Sequence, residues 1–148
     1  MAGTKVINVF LDASVLVAAS ASKSGASAYV LHLARQRKIN AFVSEDTVGE
    51  AVKNVNLKLG DIGKERLKTY FIRAKLILVD NPEAETIVLC EKFIHFKDAP
   101  ILACALANKV NVLLTLDRKH FLNQAVFDFA KPMKILTPGD FLKRFFRI

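Results

Sequence analysis

Two short apolar runs, each followed directly by an aspartate, constrain the fold of this 148-residue chain more than any other feature. Residues 6–11 and 112–116 are apolar at almost every position, as expected for strands of a parallel sheet that helices cover on both faces. Asp12 and Asp117 come directly after these runs. Because ligands in open α/β sheets bind outside the carboxyl ends of the strands, both carboxylates should lie at one candidate site.

A helix that begins near Asp98 should bring a third carboxylate to the same edge. Asp98 is a good N-cap residue, Pro100 suits the first helical turn, and the apolar residues that follow recur at helical spacing. A helix that runs antiparallel to the next strand starts at the edge where that strand ends. We therefore expect Asp98 and Asp117 to be neighbours in space.

The rest of the chain alternates between strand and helix patterns. Predicted strands lie at residues 6–11, 41–43, 76–79, 112–116 and 134–136, with helical spacing or capping residues between them. The order β, α, β, α, α, β, α, α, β, α, β, α indicates an α/β fold with right-handed crossovers. We predict a single domain over residues 1–148, with a parallel sheet of about five strands flanked by helices on both faces.

A fourth acid, Glu50, lies on a helix that directly follows the second predicted strand. Taken singly, each acid has an ordinary explanation. Asp12 and Asp117 are typical of loops, Asp98 is typical of a helix cap, and Glu50 is typical of a solvated helix surface. Brought together, the four carboxylates would raise one another's pKa unless a divalent cation lay between them, and Mg2+ and Mn2+ take such oxygen ligands. Thr115 should share a strand face with Asp117, where its hydroxyl could donate to a carboxylate or a water, or simply be an ordinary strand threonine.

Charge suggests the kind of partner. Lysine and arginine number 22 against 14 acidic residues, and the net charge of +8 suits a polyanion. Arg118 and Lys119 are directly beside Asp117 and are candidate substrate-binding residues that contact phosphate.

Cysteine content and hydropathy indicate the cellular compartment and the oligomeric state. Cys90 and Cys104 form neither a CxxC motif nor a disulfide framework, and the N-terminal apolar stretch is too short to span a bilayer. We therefore expect a cytoplasmic protein with no membrane partner. The hydrophobic content of 52% is high for this size and, with the Phe-rich segment at residues 138–146, predicts a homodimer.

Four segments together resemble the acidic motifs of the PIN domain family. They are FLDASVLVAA at residues 10–19, SEDTVGEAVKNV at 44–55, KDAPILACALAN at 97–108 and LLTLDRKHF at 113–121, and ILTPGDFL at 135–142 is similar to the family's last strand and helix. The resemblance implies a metal-dependent ribonuclease. It matches the acidic quartet to Asp12, Glu50, Asp98 and Asp117, and a nearby hydroxyl to Thr115. Small stand-alone members resemble VapC-type toxins, which implies RNA as substrate and an antitoxin as partner.

The sequence leaves two alternatives open and gives one further expectation. Asp46 lies one turn before Glu50 on the same helix face and could share or replace its role. A non-catalytic module that binds RNA or protein is the alternative to an enzyme, although all four acids are present. The three histidines, His32, His95 and His120, have no common spacing, and we expect them to be surface or half-buried residues rather than catalysts.

Overall fold

A computed structural model of the chain describes residues 6–148. Five strands in this range form one sheet: β1 (Ile7–Leu11), β2 (Ile39–Ser44), β3 (Ile77–Val79), β4 (Val112–Leu114) and β5 (Lys134–Leu136). All neighbouring strands are parallel, and their spatial order is β3-β2-β1-β4-β5. The predicted α/β class and single parallel sheet of five strands are confirmed.

Nine helices accompany the strands within the described range. They are α1 (Ala13–Ala21), α2 (Ala26–Arg35), α3 (Glu45–Lys58), α4 (Asp61–Arg73), α5 (Ala84–Cys90), α6 (Ala99–Ala107), α7 (Arg118–Phe121), α8 (Gln124–Ala130) and α9 (Pro138–Phe146). Side chains alternate between the two faces of the sheet. Val9 and Leu11 join one buried cluster and Phe10 joins another, so the sheet has an apolar core on each face.

The strand order fixes where a ligand site can form. From β1 the chain moves outward through β2 to β3 and then returns to place β4 on the other side of β1. The order therefore reverses between β1 and β4, and such a switch point leaves a crevice at the carboxyl ends of the two strands. Leu11 is paired with Leu114 there, immediately before the segments that carry Asp12 and Asp117.

Several predicted boundaries were wrong, among them those of β2, which spans Ile39–Ser44 rather than residues 41–43. β4 ends at Leu114 rather than at residue 116, and two helices, α7 and α8, follow it where one was expected. The helix expected from residue 81 to about 94 spans only Ala84–Cys90. It stops there because tight turns follow: the backbone N–H groups of Phe93 and Ile94 both donate to the Cys90 carbonyl, and Ile94 is directed into the core.

Two further expectations concern the surface. Within residues 6–148, every helix is too short or too polar to cross a membrane. The Phe-rich segment forms α9, in which Phe141 is fully buried and Phe145 is only partly exposed. This helix therefore packs largely inward, because its apolar side covers the core that it shares with α2 and β5.

Candidate metal centre

A cleft of 330 Å³ lies at the carboxyl edge of the sheet, at the crevice between β1 and β4. Its polar lining consists of Asp12, Ser14, Glu50, Asn54, Lys58, Asp98 and Asp117. A second cleft of 500 Å³ shares three of these acids and adds His95, Lys97 and His120. All four acids that the sequence singled out thus line one concave surface.

Asp12 is the most tightly held of the four acids. Its Oδ1 accepts a hydrogen bond from the Ala13 backbone N–H at 2.8 Å, and its Oδ2 accepts from the Ser14 and Thr115 hydroxyls, each at 2.8 Å. These bonds use three of the roughly four lone-pair directions of a carboxylate. Burial raises the pKa of Asp12, against the lowering effect of these bonds, and nearby Asp117 raises it further. Asp12 is therefore fixed in place, with one direction on Oδ1 left for a ligand.

Thr115 and Ser14 tie the ends of β1 and β4 together. The Asp117 backbone N–H donates to the Thr115 hydroxyl at 3.0 Å, and the Leu116 N–H donates to the Ser14 hydroxyl at 3.1 Å. Thr115 is fully buried. Its hydroxyl does reach a carboxylate, but the argument from strand alternation was wrong because β4 has already ended at Leu114.

Asp98 occupies the N-cap position of α6, but no capping hydrogen bond to its side chain is found among the described residues. A cap is not needed, because the His95 carbonyl accepts from the N–H groups of Asp98 and Ala99, and Pro100 has no N–H. The predicted side-chain cap was therefore wrong, and the carboxylate is left free to face the cleft. Burial and the charge of Asp117 raise the pKa of Asp98, and His120 partly offsets this.

Glu50 faces the cleft from α3. Its pKa is raised by partial burial and by the charges of Asp12, Asp98 and Asp46. Asp46, one turn earlier on α3, lines neither cleft, whereas Glu50 lines both. The geometry therefore favours Glu50 over Asp46 as the member of this cluster.

His120 is a member of the cluster that the sequence analysis missed. Asp117 caps α7 by accepting the His120 backbone N–H at 3.1 Å, and this turn brings the ring Nδ1 to 2.9 Å from Asp117 Oδ2 and 3.3 Å from Asp98 Oδ2. The side chain is half-buried, as expected, but it lies among the acids. The available signal was the spacing of three residues from Asp117 across a helix start.

This set of donor atoms fits a divalent cation. One ligand atom each from Asp98, Asp117 and His120 lies within 4.8 Å of the others. Carboxylate oxygens suit Mg2+ and Mn2+, and a cation would also relieve the mutual repulsion that raises the pKa of Glu50 and Asp98.

The basic residues of the site differ from those that the sequence indicated. Arg118 and Lys119 are exposed on α7 and line neither cleft, so their contact with phosphate stays a prediction. Lys58 and Lys97, which had no distinguishing sequence pattern, line the two clefts. Their placement depends on how α3 and the turn before α6 pack, which sequence spacing does not reveal.

Comparisons with known proteins agree with this architecture. A family model described as a PIN domain matches residues 8–119. No curated protein was matched by the sequence. Among solved structures, PAE2754 from Pyrobaculum aerophilum is 19% identical, with a TM-score of 0.61 over 97% of this chain and 92% of its own.

Two other solved structures have the same fold. FitAcB from Neisseria gonorrhoeae is 18% identical, with a TM-score of 0.57 over 88% of this chain and 98% of its own. VapC20 of Mycobacterium tuberculosis, described as a sarcin-ricin loop cleaving toxin, is 14% identical, with a TM-score of 0.55 over 75% of this chain and 91% of its own. At these identities the likeness shows the fold alone.

Proposed function

The chain belongs to the PIN domain family, and on this premise we propose that it is a metal-dependent endoribonuclease that hydrolyses phosphodiester bonds in RNA. PIN domains are generally nucleases. The observation that carries the proposal is the convergence of Asp12, Glu50, Asp98 and Asp117 on one cleft at the switch point of the sheet. The net charge of +8 suits a polyanionic substrate.

In this proposal the residues of the cleft have different roles. The four acids would hold Mg2+ or Mn2+, with His120 beside them. When bound, such a cation lowers the pKa of water and offsets charge on a phosphate. Thr115 holds Asp12 in position, and Lys58 and Lys97 attract phosphate oxygens to the clefts, while Arg118 and Lys119 would contact phosphates farther along the strand. No side chain needs to act as the nucleophile.

The biological partners follow from the same proposal. VapC20, which has this fold, is described as a toxin. We propose that this chain is likewise the toxin of a toxin–antitoxin pair, acting in the cytoplasm with an antitoxin protein as its partner. The test is whether a small protein encoded beside this gene binds the chain and suppresses its cleavage of RNA.

A homodimer is also part of the proposal. The support now comes from the α3–α4 pair rather than from α9, because Leu57 is 73% exposed and Ile62 and Ile72 are each 70% exposed. Exposed apolar side chains of this size are typical of association surfaces. Light scattering at micromolar concentration should give the mass of two chains, and a strictly monomeric mass would remove this part of the proposal.

The test of the enzymatic proposal is cleavage of a panel of single-stranded and structured RNAs. Mn2+ or Mg2+ should support cleavage and EDTA should stop it. Asp98→Asn should lower the rate by at least about 100-fold, because an amide is a poorer ligand for a hard cation. Asp61→Asn, at the exposed start of α4, is the matched control and should cleave normally.

Two outcomes would contradict this reading. Undiminished cleavage by Asp98→Asn would show that the cleft is not the active site. If the wild type binds RNA but cleaves none of the panel in any of the metals, the chain is a binding module.

A further inference from the structure

Three aromatic rings lead outward from the acid cluster to the surface. The His120 ring, which contacts Asp117 and Asp98, has its centroid 5.3 Å from that of His95, with 32° between the planes. The His95 ring is in turn 4.6 Å from the Phe96 ring, with 29° between the planes. We call His120, His95 and Phe96 the aromatic ladder.

The outer end of the aromatic ladder is open to solvent. Phe96 is 63% exposed, although a phenylalanine normally buries most of its ring. The segment that carries it is nonetheless well held. Ile94 is buried in the core, and the Lys97 N–H donates to His95 Nδ1 at 3.2 Å. The rings are thus presented by a fixed turn rather than by a loose loop.

Two rings of the aromatic ladder, His95 and His120, share a cleft with the acids, and Phe96 stacks on His95 outside that cleft. His95, Lys97 and His120 line the 500 Å³ cleft together with Glu50, Asp98 and Asp117. A phosphate held at the acids therefore lies beside the positively charged Lys97 side chain. It also lies beside a row of aromatic rings, of which the outermost is exposed to solvent. Nucleic acids present this combination of groups, because each phosphate is followed by a base with a flat π-face.

We propose that the aromatic ladder is a stacking platform for an unpaired base of the RNA, next to the phosphate at the acid cluster. This inference rests on the proposed function and adds a base-binding subsite to it. Inside a duplex both faces of a base are covered by its neighbours, so only a single strand, a loop or an end can offer the face that Phe96 would receive.

The test measures binding without cleavage. The probe is a single-stranded RNA of about ten nucleotides that contains 2-aminopurine, a fluorescent base whose emission falls when it stacks. Binding is measured with Ca2+, which takes oxygen ligands and can hold a phosphate at the acids, and a gel checks that the probe stays intact; the chain has no tryptophan to obscure the signal. A blunt duplex of the same sequence is measured in parallel.

Phe96→Leu keeps the apolar bulk of the side chain but removes the aromatic face. It should weaken binding of the single strand by about tenfold and abolish the quenching, since stacking on an aromatic side chain contributes about 1–3 kcal/mol per base. Phe96→Tyr should bind like the wild type. The matched control is Tyr29→Leu, which removes a partly exposed ring on α2 that is not part of the aromatic ladder. It should change nothing. The duplex offers base faces only at its two ends, so Phe96→Leu should weaken its binding much less than that of the single strand.

The outcomes separate this inference from the proposed function. If Phe96→Leu binds the single strand as tightly as the wild type does, the stacking platform is refuted, whereas cleavage by the wild type in Mn2+ would still support the nuclease. An equal loss of duplex binding, or a change in oligomeric mass, would also refute it. A wild type that stacks the probe but cleaves no RNA would keep the platform and refute the nuclease. A wild type that neither binds nor cleaves would refute both.

Discussion

The two halves of the acid cleft are built differently. In the half that follows the strands, Asp12 accepts three hydrogen bonds and Thr115 joins it to the end of β4. In the half that comes from the helices, no hydrogen bond between described residues holds Glu50, and Asp98 has only the 3.3 Å contact with His120. Acidic side chains therefore have two roles in this cleft. Those of the strand half are fixed and set the geometry, and those of the helix half remain available for a ligand.

The largest effect on this comparison should come from Thr115→Val in the strand half. The change keeps the shape but leaves the Asp117 N–H without its partner and removes one of the three hydrogen bonds that hold Asp12. We expect the free energy of unfolding to fall by about 1–3 kcal/mol, and cleavage to fall by about 10- to 100-fold because a positioning bond is lost. Thermal melts and RNA cleavage rates measure both.

Thr69→Val is the control for this change. Thr69 is exposed on α4, where its hydroxyl donates to the Glu65 carbonyl, so its loss should change stability by less than about 0.5 kcal/mol. If Thr115→Val costs no more than Thr69→Val, hydrogen bonds do not fix the strand half and the comparison fails.

The second test uses pH and involves both halves. The pKa values of Asp12, Asp98 and Glu50 are raised in the folded chain, so near neutral pH the folded state binds protons more tightly than the unfolded state does. Stability is then lowest where all three are ionised. In EDTA it should rise as the pH falls from neutrality toward about 4, the ordinary carboxyl pKa. In excess Mn2+ the trend should reverse, because protons compete with the cation.

Denaturant titrations at several pH values, with EDTA and with Mn2+, check this prediction. His120 contacts Asp98 and Asp117, so His120→Gln is measured beside the wild type. A rise that disappears in His120→Gln would assign the effect to the histidine rather than to the carboxylates.

The smallest effect should come from Glu50→Gln in the helix half. Removing one charge from an exposed cluster should raise the stability in EDTA by a few tenths of a kcal/mol, or about 1–2 °C in Tm. It should also reduce the extra stability that Mn2+ gives, because a lost ligand raises the Kd for the metal. Melts with EDTA and with Mn2+ measure both quantities.

Two variants make this test specific. Glu65→Gln removes an exposed acid from α4 and should leave the response to Mn2+ unchanged. Asp46→Asn should also leave it unchanged, because Asp46 lines neither cleft. An Asp46→Asn protein that loses as much of the response as Glu50→Gln would restore Asp46 as an alternative ligand.

The sequence predicted well the elements that have a strong local pattern, although not all of their boundaries. The strands that precede Asp12 and Asp117, and the start of α6 at Asp98, follow from runs of apolar residues and from capping chemistry. Parallel strand order then accounts for their meeting at one edge.

The sequence failed where two elements meet. His120 approaches Asp98 only because α7 turns back toward the start of α6, and Asp98 is free only because the His95 carbonyl satisfies the helix end instead. Neither contact leaves a repeat or a spacing in the chain. The exposure of Phe96 could not be predicted either, because two apolar residues of the same turn differ: Ile94 is buried and Phe96 is exposed.

The hydrogen bond between Thr115 and Asp12 joins residues 103 positions apart, and this separation matters during synthesis. A ribosome adds about 5–20 residues per second, so Asp12 emerges roughly 5–20 s before the side chain that orients it. β1 and β2 can pair early, but Asp98 and Asp117 arrive with the last third of the chain. A nascent chain therefore carries its first acid long before the other acids of the cleft can join it.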